Sequence, residues 1–366
     1  MKRIIISVTT DLCTDQRVHK VATTLSEMGF DVLLLGRKLP DSLPIERNYK
    51  TKRFKLFFNE EVWFYMEYNI RLFFFLLFNK VDVLLANDLD TLLSNFLVSK
   101  IKNKPLVYDS HEMFCEGPEL QGRVFVQSVW RLIEKSILPK LKYAYTVSQS
   151  IADAYKNDYE ADFKVIRNIP KLEHKTKEVE QLNFDDKKII LYQGVMNPGR
   201  GLEEMIAAMP LIDNAVLLII GFGKVEKQLK QLVKEKHLEG KVIFFGKVPF
   251  EQLLSYSKQA DVGLLLERPL GLSFTYALPN KLFDYIHADL PIIASPLVEV
   301  KSIIQQYNVG KVVQNHNAEY LAATIDEILS NIEQRNSWKQ NMQKAKKELN
   351  WQKEEEKLQN IYAHFL

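Results

Sequence analysis

One pattern constrains this chain more than any other: short runs rich in β-branched and aliphatic residues alternate with longer stretches of helical period, in two successive series. The first opens with RIIISVT (3–9), passes through Gln16 to Met28 with apolar Val18, Val21, Ala22 and Leu25, and continues with FDVLLLG (30–36), VDVLLA (81–86), PLVYDS (105–110) and YAYTVS (143–148). Such alternation predicts a parallel sheet covered by helices on both faces. From Ile169 to Asp186 the rhythm lapses into the polar stretch IPKLEHKTKEVEQLNFDD, which reads as a linker. The second series then runs KIILYQG (188–194), AVLLIIG (215–221), KVIFFG (241–246), ADVGLLL (260–266), PIIAS (291–295) and VGKVV (309–313). It closes in helical segments, Ala318 to Ile332 and a Lys/Glu-rich run from Trp338 to Leu366.

The expected fold class is α/β: two tandem Rossmann-like doubly wound domains, residues 1–168 and 187–345, joined by a linker over 169–186. A ligand cleft is expected between them, with a C-terminal helix, 346–366, packing back on the first domain. A length of 366 residues suits two cores better than one. The formal charge of +3 provides no field that would favour nucleic acid. Cys13 and Cys115 stand outside any zinc-ligand spacing and suggest no disulfide framework, so a reducing cytoplasm fits. The apolar stretch after Lys2 and Arg3 stops by Thr9, too short for a signal-peptide core. The most apolar segment, LFFFLLF (72–78), falls well short of the roughly 20 residues that span a bilayer.

In open parallel sheets, ligands bind beyond the carboxyl ends of the strands, where loops meet helix N-termini. After KIILYQ comes Gly194-Val195-Met196-Asn197-Pro198-Gly199-Arg200-Gly201, a glycine-rich turn carrying a cation and leading into LEEMIAAM. Glycines let backbone N–H groups approach phosphate oxygens, and Arg200 would hold a leaving diphosphate through a charged fork; an exposed arginine in an ordinary loop is the alternative. Gly221-Phe222-Gly223 is a weaker signal of the same kind. The densest constellation is 267–295, where an irregular loop containing Ser273 and Thr275 leads to a helix starting near Pro279 or Asn280. Lys281 adds charge at that helix start, and one turn later Asp284 is placed to accept from ribose hydroxyls, unless both are simply solvated. In the first half, PLVYDS runs into His111-Glu112, again at a strand's carboxyl end, and His111 is expected to donate a hydrogen bond to a sugar hydroxyl. Asn87-Asp88-Leu89-Asp90 contains Asp-x-Asp, but two aspartates are too few for a metal site and Asp90 suits a helix N-cap.

Together these stretches resemble family 4 of the retaining GT-B glycosyltransferases, in a subset with a Pro-Asn-Lys helix start. The likeness runs through Asp15-Gln16-Arg17, Gly29-Phe30-Asp31-Val32, YDSHE (108–112), VSQSIADAY (147–155), VIRNIP (165–170), YQGVMNPGRGLEEMI (192–206), IIGFGKVEKQL (219–229), FFGKVPFEQLLSYSKQADVGLL (244–265) and PNKLFDYIHADLPIIAS (279–295). The resemblance implies base contacts near Lys247 and Val248, ribose contacts from Asp284, and a diphosphate held by Arg200 where the family has a lysine. It implies His111, Arg200 and Lys281 as catalytic residues and Gly194, Gly221, Ser273, Thr275 and Asn280 as further donor contacts. Asp15, Arg17, Asp88, His111 and Glu112 fall on the acceptor side. Val195 replaces the usual arginine of the first loop, and the Glu-x7-Glu motif falls on Tyr276 and Asp284, so its first glutamate is missing. Lys281 is expected to supply the lost phosphate contact.

The implied activity is transfer of a sugar, with retention, from a nucleotide-diphosphate donor to a saccharide or lipid-linked acceptor in polysaccharide or glycolipid synthesis, with no metal or other cofactor. A catalytically silent sugar-nucleotide-binding protein is the alternative. A nicotinamide-dependent oxidoreductase fits less well, because TTDLCTDQR (9–17) lacks Gly-x-Gly-x-x-Gly. Arg47, Lys50, Lys52, Arg53 and Lys55 precede the aromatic run VWFYMEYNIRLFFFLLF (62–78), a combination suited to peripheral membrane contact; a buried helix beside a basic loop is the other reading.

Overall fold

The computed structural model describes residues 1–13, 15–40, 42–172 and 177–366. Residues 173–176 of the expected linker lie outside the described residues. The chain divides into two compact units, Met1–Asn168 with Lys353–Leu366, and Ile169–Gln352.

The first unit contains β1 (Arg3–Asp11), β2 (Asp31–Lys38), β3 (Lys50–Lys55), β4 (Val83–Asn87), β5 (Leu106–Ser110), β6 (Tyr143–Thr146) and β7 (Lys164–Val165). They form one sheet in the order β3-β2-β1-β4-β5-β6-β7, every pair parallel. β4 and β5 are buried along their whole length, as expected for strands covered on both faces. The helix Gln16–Glu27 starts where Asp15 accepts from the Val18 N–H at 3.0 Å. β3 and β7 fall outside the expected series. KTKRFK is an edge strand that turns lysines to solvent, a charge pattern that blunts edge-to-edge pairing and hides the strand's periodicity. Lys50, Lys52, Arg53 and Lys55 therefore sit on a strand and not in the basic loop expected there.

The second unit contains β8 (Lys188–Gln193), β9 (Ala215–Ile220), β10 (Val242–Gly246), β11 (Val262–Leu265), β12 (Ile292–Ala294) and β13 (Gly310–Val312). Their order, β10-β9-β8-β11-β12-β13, repeats the doubly wound plan, again all parallel. Alternate residues of one strand feed different cores. Ile190, Tyr192, Leu217 and Ile219 join one cluster, whereas Ile189, Leu191, Val216 and Leu218 join the other. Both units are thus α/β and Rossmann-like, and in each the strand order reverses at one point, between β1 and β4 and between β8 and β11.

The expected helix over 346–366 begins later: residues 346–348 end the helix Ile332–Glu348, and a separate helix runs Trp351–Tyr362. Leu349, Asn350 and Trp351 are all buried, and three consecutive inward-facing residues cannot share one face of a continuous helix. The chain leaves the helical region at Leu349 (φ −94°, ψ 74°). Residues 353–366 complete the first unit's core: Tyr362 is fully buried, its ring edge-on to Phe30 and its hydroxyl 3.3 Å from that of Tyr145, while Phe365 packs edge-on against Tyr143. Tyr362→Ala is expected to destabilise the first unit by about 3–5 kcal/mol through the cavity it leaves. Denaturant unfolding followed by a probe in that unit measures this, and a change below about 1 kcal/mol contradicts the packing.

Candidate active site

In the second unit the loops after β8 and β11 meet at the strand-order reversal. The loop 194–201 is held down by its glycines. At Gly201 (φ +74°) a Cβ would collide with the Leu266 carbonyl, and at Gly221 (φ +148°) one would collide with that of Gly194. The Arg268 N–H donates to the Gly199 carbonyl at 2.8 Å, tying this loop to the segment just beyond β11. The following helix, Leu202–Ala208, already carries Glu203 and Glu204 in its first turn, and Arg268 pairs with Glu204. Its positive end is therefore answered internally, and side chains supply the cationic character of the site.

Those side chains are Arg200 and Lys281, which converge on Glu267. Arg200 Nη1 lies 2.5 Å and Lys281 Nζ 3.3 Å from the same oxygen, Glu267 Oε1. Glu267 is fully buried, and its Oε2 has no hydrogen-bond partner among the described residues. Burial pushes the Glu267 carboxyl up, but Lys281 and Arg200 outweigh it and hold the group below the usual glutamate value. Each cation also lies over an aromatic ring, Arg200 above Phe274 at 4.7 Å and Lys281 above Tyr192 at 4.2 Å. Lys281 borders the glycine loop, since a Cβ on Gly194 would stand 3.6 Å from its Nζ. It belongs to the first turn of the helix Asn280–His287, whose start has Pro279 as N-cap and no side-chain cap, with Asn280 exposed.

One turn on, Asp284 Oδ2 accepts from Gln193 Nε2 at 2.9 Å, and Gln193 Oε1 accepts from the Ser257 hydroxyl at 2.7 Å. Gly194, Arg200, Lys281 and Asp284 thus share one edge of the sheet. Ser273 is buried and Thr275 donates to the Gly271 carbonyl at 2.9 Å; the residue between them, Phe274, is the ring beneath Arg200. Lys247 and half-buried Val248 follow β10, two strands from β8, with the Lys247 ammonium 5.0 Å from the Phe222 ring centroid.

The first unit builds a second cluster around Asp109, the penultimate residue of β5. This fully buried carboxylate accepts from Arg17 Nε at 3.0 Å and Nη2 at 2.6 Å, and His111 Nε2 lies 3.3 Å away. Arg17 also donates to the Ile166 carbonyl at 2.7 Å and is only 3% exposed, so it fixes Asp109 and does not face a ligand as expected. Asp88 accepts from the His111 N–H at 2.7 Å and has its other oxygen 3.2 Å from Nδ1, so the imidazole lies between two carboxylates. Burial pulls the His111 pKa down, but Asp88 and Asp109 outweigh it and lift it to about 9. At neutral pH His111 is an imidazolium that donates hydrogen bonds. Asp90 is not the N-cap: that position is Asp88, and Asp90 accepts from the Thr9 hydroxyl at 2.6 Å, its carboxyl raised to about 7 by burial and by Asp88. The two carboxylates of Asp-x-Asp have separate partners. Asp15 is the helix cap already described. Exposed Glu112 borders a groove of about 260 Å³ lined by Tyr65, Phe114, Phe125, Val129 and Trp130.

Sequence reasoning missed Asp109, Gln193 and Glu267. For Asp109 a signal existed: a carboxylate within an otherwise apolar, doubly covered strand must find a cation. Glu267 follows ADVGLLL directly, at the end of a buried strand, and carried the same hint.

The family model described as "Glycosyl transferases group 1" matches residues 174–345, and that described as "Glycosyltransferase Family 4" matches residues 15–171. The chain belongs to the family 4 glycosyltransferases of GT-B fold. It is 30% identical over 163 residues to an uncharacterized glycosyltransferase, MJ1607, of Methanocaldococcus jannaschii, a stretch covering 41% of this chain and 40% of that relative. The chain spans less than half the length of the curated relatives it matches. Among solved structures it is similar to sucrose-phosphate synthase from Thermosynechococcus elongatus (TM-score 0.84, 18% identity, covering 100% of this chain and 99% of that one). It is also similar to Anabaena HepE in complex with UDP-glucose (TM-score 0.74, 13% identity, covering 100% of both chains).

His111 should titrate near pH 9 and not near 6.5 when followed by NMR of its ring, and Asp88→Asn should bring the transition back toward the ordinary histidine range. Because the folded value is raised, the stability this histidine contributes is whole below pH 6.5 and is lost as pH rises through about 9. A ring that titrates near 6.5 in the unaltered protein contradicts the two-carboxylate setting.

Proposed function

We propose that the chain transfers a sugar from a nucleoside diphosphate donor, bound by the second unit, to a hydroxyl of an acceptor bound by the first. The observation that carries this reading is the pairing of Arg200 and Lys281 beside the glycine loop at the carboxyl ends of β8 and β11. A nucleoside diphosphate is already a good leaving group, so the main task is to stabilise charge building on its outer phosphate as the glycosidic bond breaks. Arg200 and Lys281 supply positive charge there without a metal ion. Asp284, oriented by Gln193, accepts from the ribose, and Lys247 and Val248 lie toward the base. The UDP-glucose complex of a protein with similar fold supports this class of donor. Retention of anomeric configuration, a Pro-Asn-Lys subset and a place in polysaccharide or glycolipid synthesis complete the reading. In the first unit, His111 contributes positive charge on the acceptor side, its ring held by Asp88 and Asp109.

A panel of nucleotide sugars with released nucleoside diphosphate as the readout tests it. Arg200→Ala should lower kcat at least about 100-fold, the scale expected when a charge-stabilising donor is lost, in protein that stays folded at the assay temperature but melts lower because Glu267 loses one of its two cations. Near-normal transfer by that variant removes Arg200 from the site, and tight donor binding by the unaltered protein without transfer or hydrolysis favours a silent binding protein.

A lipid-linked acceptor presented at a membrane is part of this proposal. The helix Glu61–Phe78 buries Phe64, Tyr68, Leu72 and Leu76 and exposes Trp63, Met66, Ile70, Phe74 and Phe78 as a second stripe. The helix is thus not wholly buried, and no helix among the described residues is long and apolar enough to cross a membrane. The helix Val124–Ile137 adds exposed Val124, Phe125, Val129 and Leu132. Lys50 and Arg53 pair with Asp31 and Asp11, so apolar insertion dominates over basic attraction in this reading. The protein should sediment with anionic vesicles, and Trp63→Ser with Phe74→Ser should release it; an unaltered protein that stays in the supernatant at low salt defeats the idea.

A further inference from the structure

Glu267 is the buried charge that the proposed chemistry does not use. It touches both phosphate-side cations through one oxygen, it is fully buried, and its second oxygen has no hydrogen-bond partner among the described residues. A buried carboxylate in that state is costly unless cations stand beside it, so the three side chains must be treated as one unit carrying a single net positive charge. Aromatic rings already sit beneath both cations, and the loop carrying Arg200 is fixed through Gly201 and the Arg268 N–H. Glu267 is therefore not the sole support of either cation. The charge has a second consequence.

The diphosphate of a sugar donor has no terminal ionisable oxygen, whereas the free nucleoside diphosphate gains a further negative charge at its terminal phosphate, with a second pKa of about 6. Two unopposed cations would reward that additional charge. A fixed carboxylate between them penalises it. Resting on the reading of this site as the donor site, we infer that Glu267 is a positioning residue that sets Arg200 and Lys281 as a singly charged clamp, biasing the site toward the sugar-bearing donor and against the more highly charged nucleoside diphosphate product. Product release is the step it assists.

The test is calorimetric binding of UDP, ADP and GDP, of their glucose conjugates, and of inorganic pyrophosphate to the full chain and to two variants. Glu267→Gln keeps the volume and removes the charge. It should shift the ratio of nucleoside diphosphate affinity to donor affinity by about tenfold toward the nucleoside diphosphate, the size expected for one charge a few ångströms away in a partly solvated site, and strengthen pyrophosphate binding in the same sense. Glu267→Asp keeps the charge on a shorter stem and should weaken both ligands while leaving their ratio as it is in the unaltered protein. A loss of shape alone would lower both affinities together and leave the ratio unmoved in Gln as well. An unchanged ratio in Glu267→Gln overturns the inference, as does a ratio shifted equally in Glu267→Asp; if the Gln variant does not fold, Glu267→Met, uncharged and of similar volume, takes its place with the same shift expected and the same outcomes deciding. An unaltered protein that binds none of these ligands overturns the reading of the donor site itself, whereas binding with an unmoved ratio overturns only the role of Glu267.

Discussion

Each unit depends on one desolvated carboxylate next to the carboxyl end of a central strand. In the first, Asp109 is gripped by Arg17 and faced by His111; in the second, Glu267 is gripped by Arg200 and faced by Lys281. Such a group is tolerated only with cations in contact, and losing one partner typically costs about 3–5 kcal/mol because the remaining charge stays buried. The arrangement ties distant loops together. Arg17 comes from the helix after β1, and Arg200 from the loop after β8, so each pair spans the position where the strand order reverses.

The two clusters nevertheless differ in what they leave for a ligand. Arg17 is sealed at 3% exposure, and the polar group presented outward is the imidazolium of His111, whose side chain is 22% exposed. In the second unit the arginine is the more open partner, at 26%, and the lysine the more enclosed, at 10%. The first cluster therefore turns both ring N–H groups of its imidazolium toward its own carboxylates, whereas the second, with two cations on one carboxylate, keeps donors of a fork and an ammonium to spare.

Much of this could be read along the chain. Strands covered on both faces appear as continuous apolar runs, which is why β1, β4, β5, β8, β9 and β11 stand out, and cations in glycine loops or at helix starts marked Arg200 and Lys281. β3 escaped because an edge strand is free to carry lysines, and β7 because two residues leave no period. Glu267 and Asp109 are different: a lone acid at a buried strand hints at a cation, but the partners lie far along the chain, 67 residues away for Arg200 and 92 for Arg17, so which cation each meets is visible only after folding. The break near Asn350 is similar, since only the folded surroundings show that Leu349, Asn350 and Trp351 must all turn inward.

The closing of the first unit by residues 353–366 bears on how this chain comes into being. A ribosome delivers β1 to β7 first, then the whole second unit, and only afterwards Leu358, Tyr362 and Phe365, which fill the remaining space beside Phe30, Tyr143 and Tyr145. During synthesis the first unit must wait with an incomplete core and apolar surface uncovered, while the second, contiguous in sequence, can finish as it emerges. The order of completion is thus the reverse of the order of translation, and the waiting interval is where a nascent chain of this design is most dependent on chaperones.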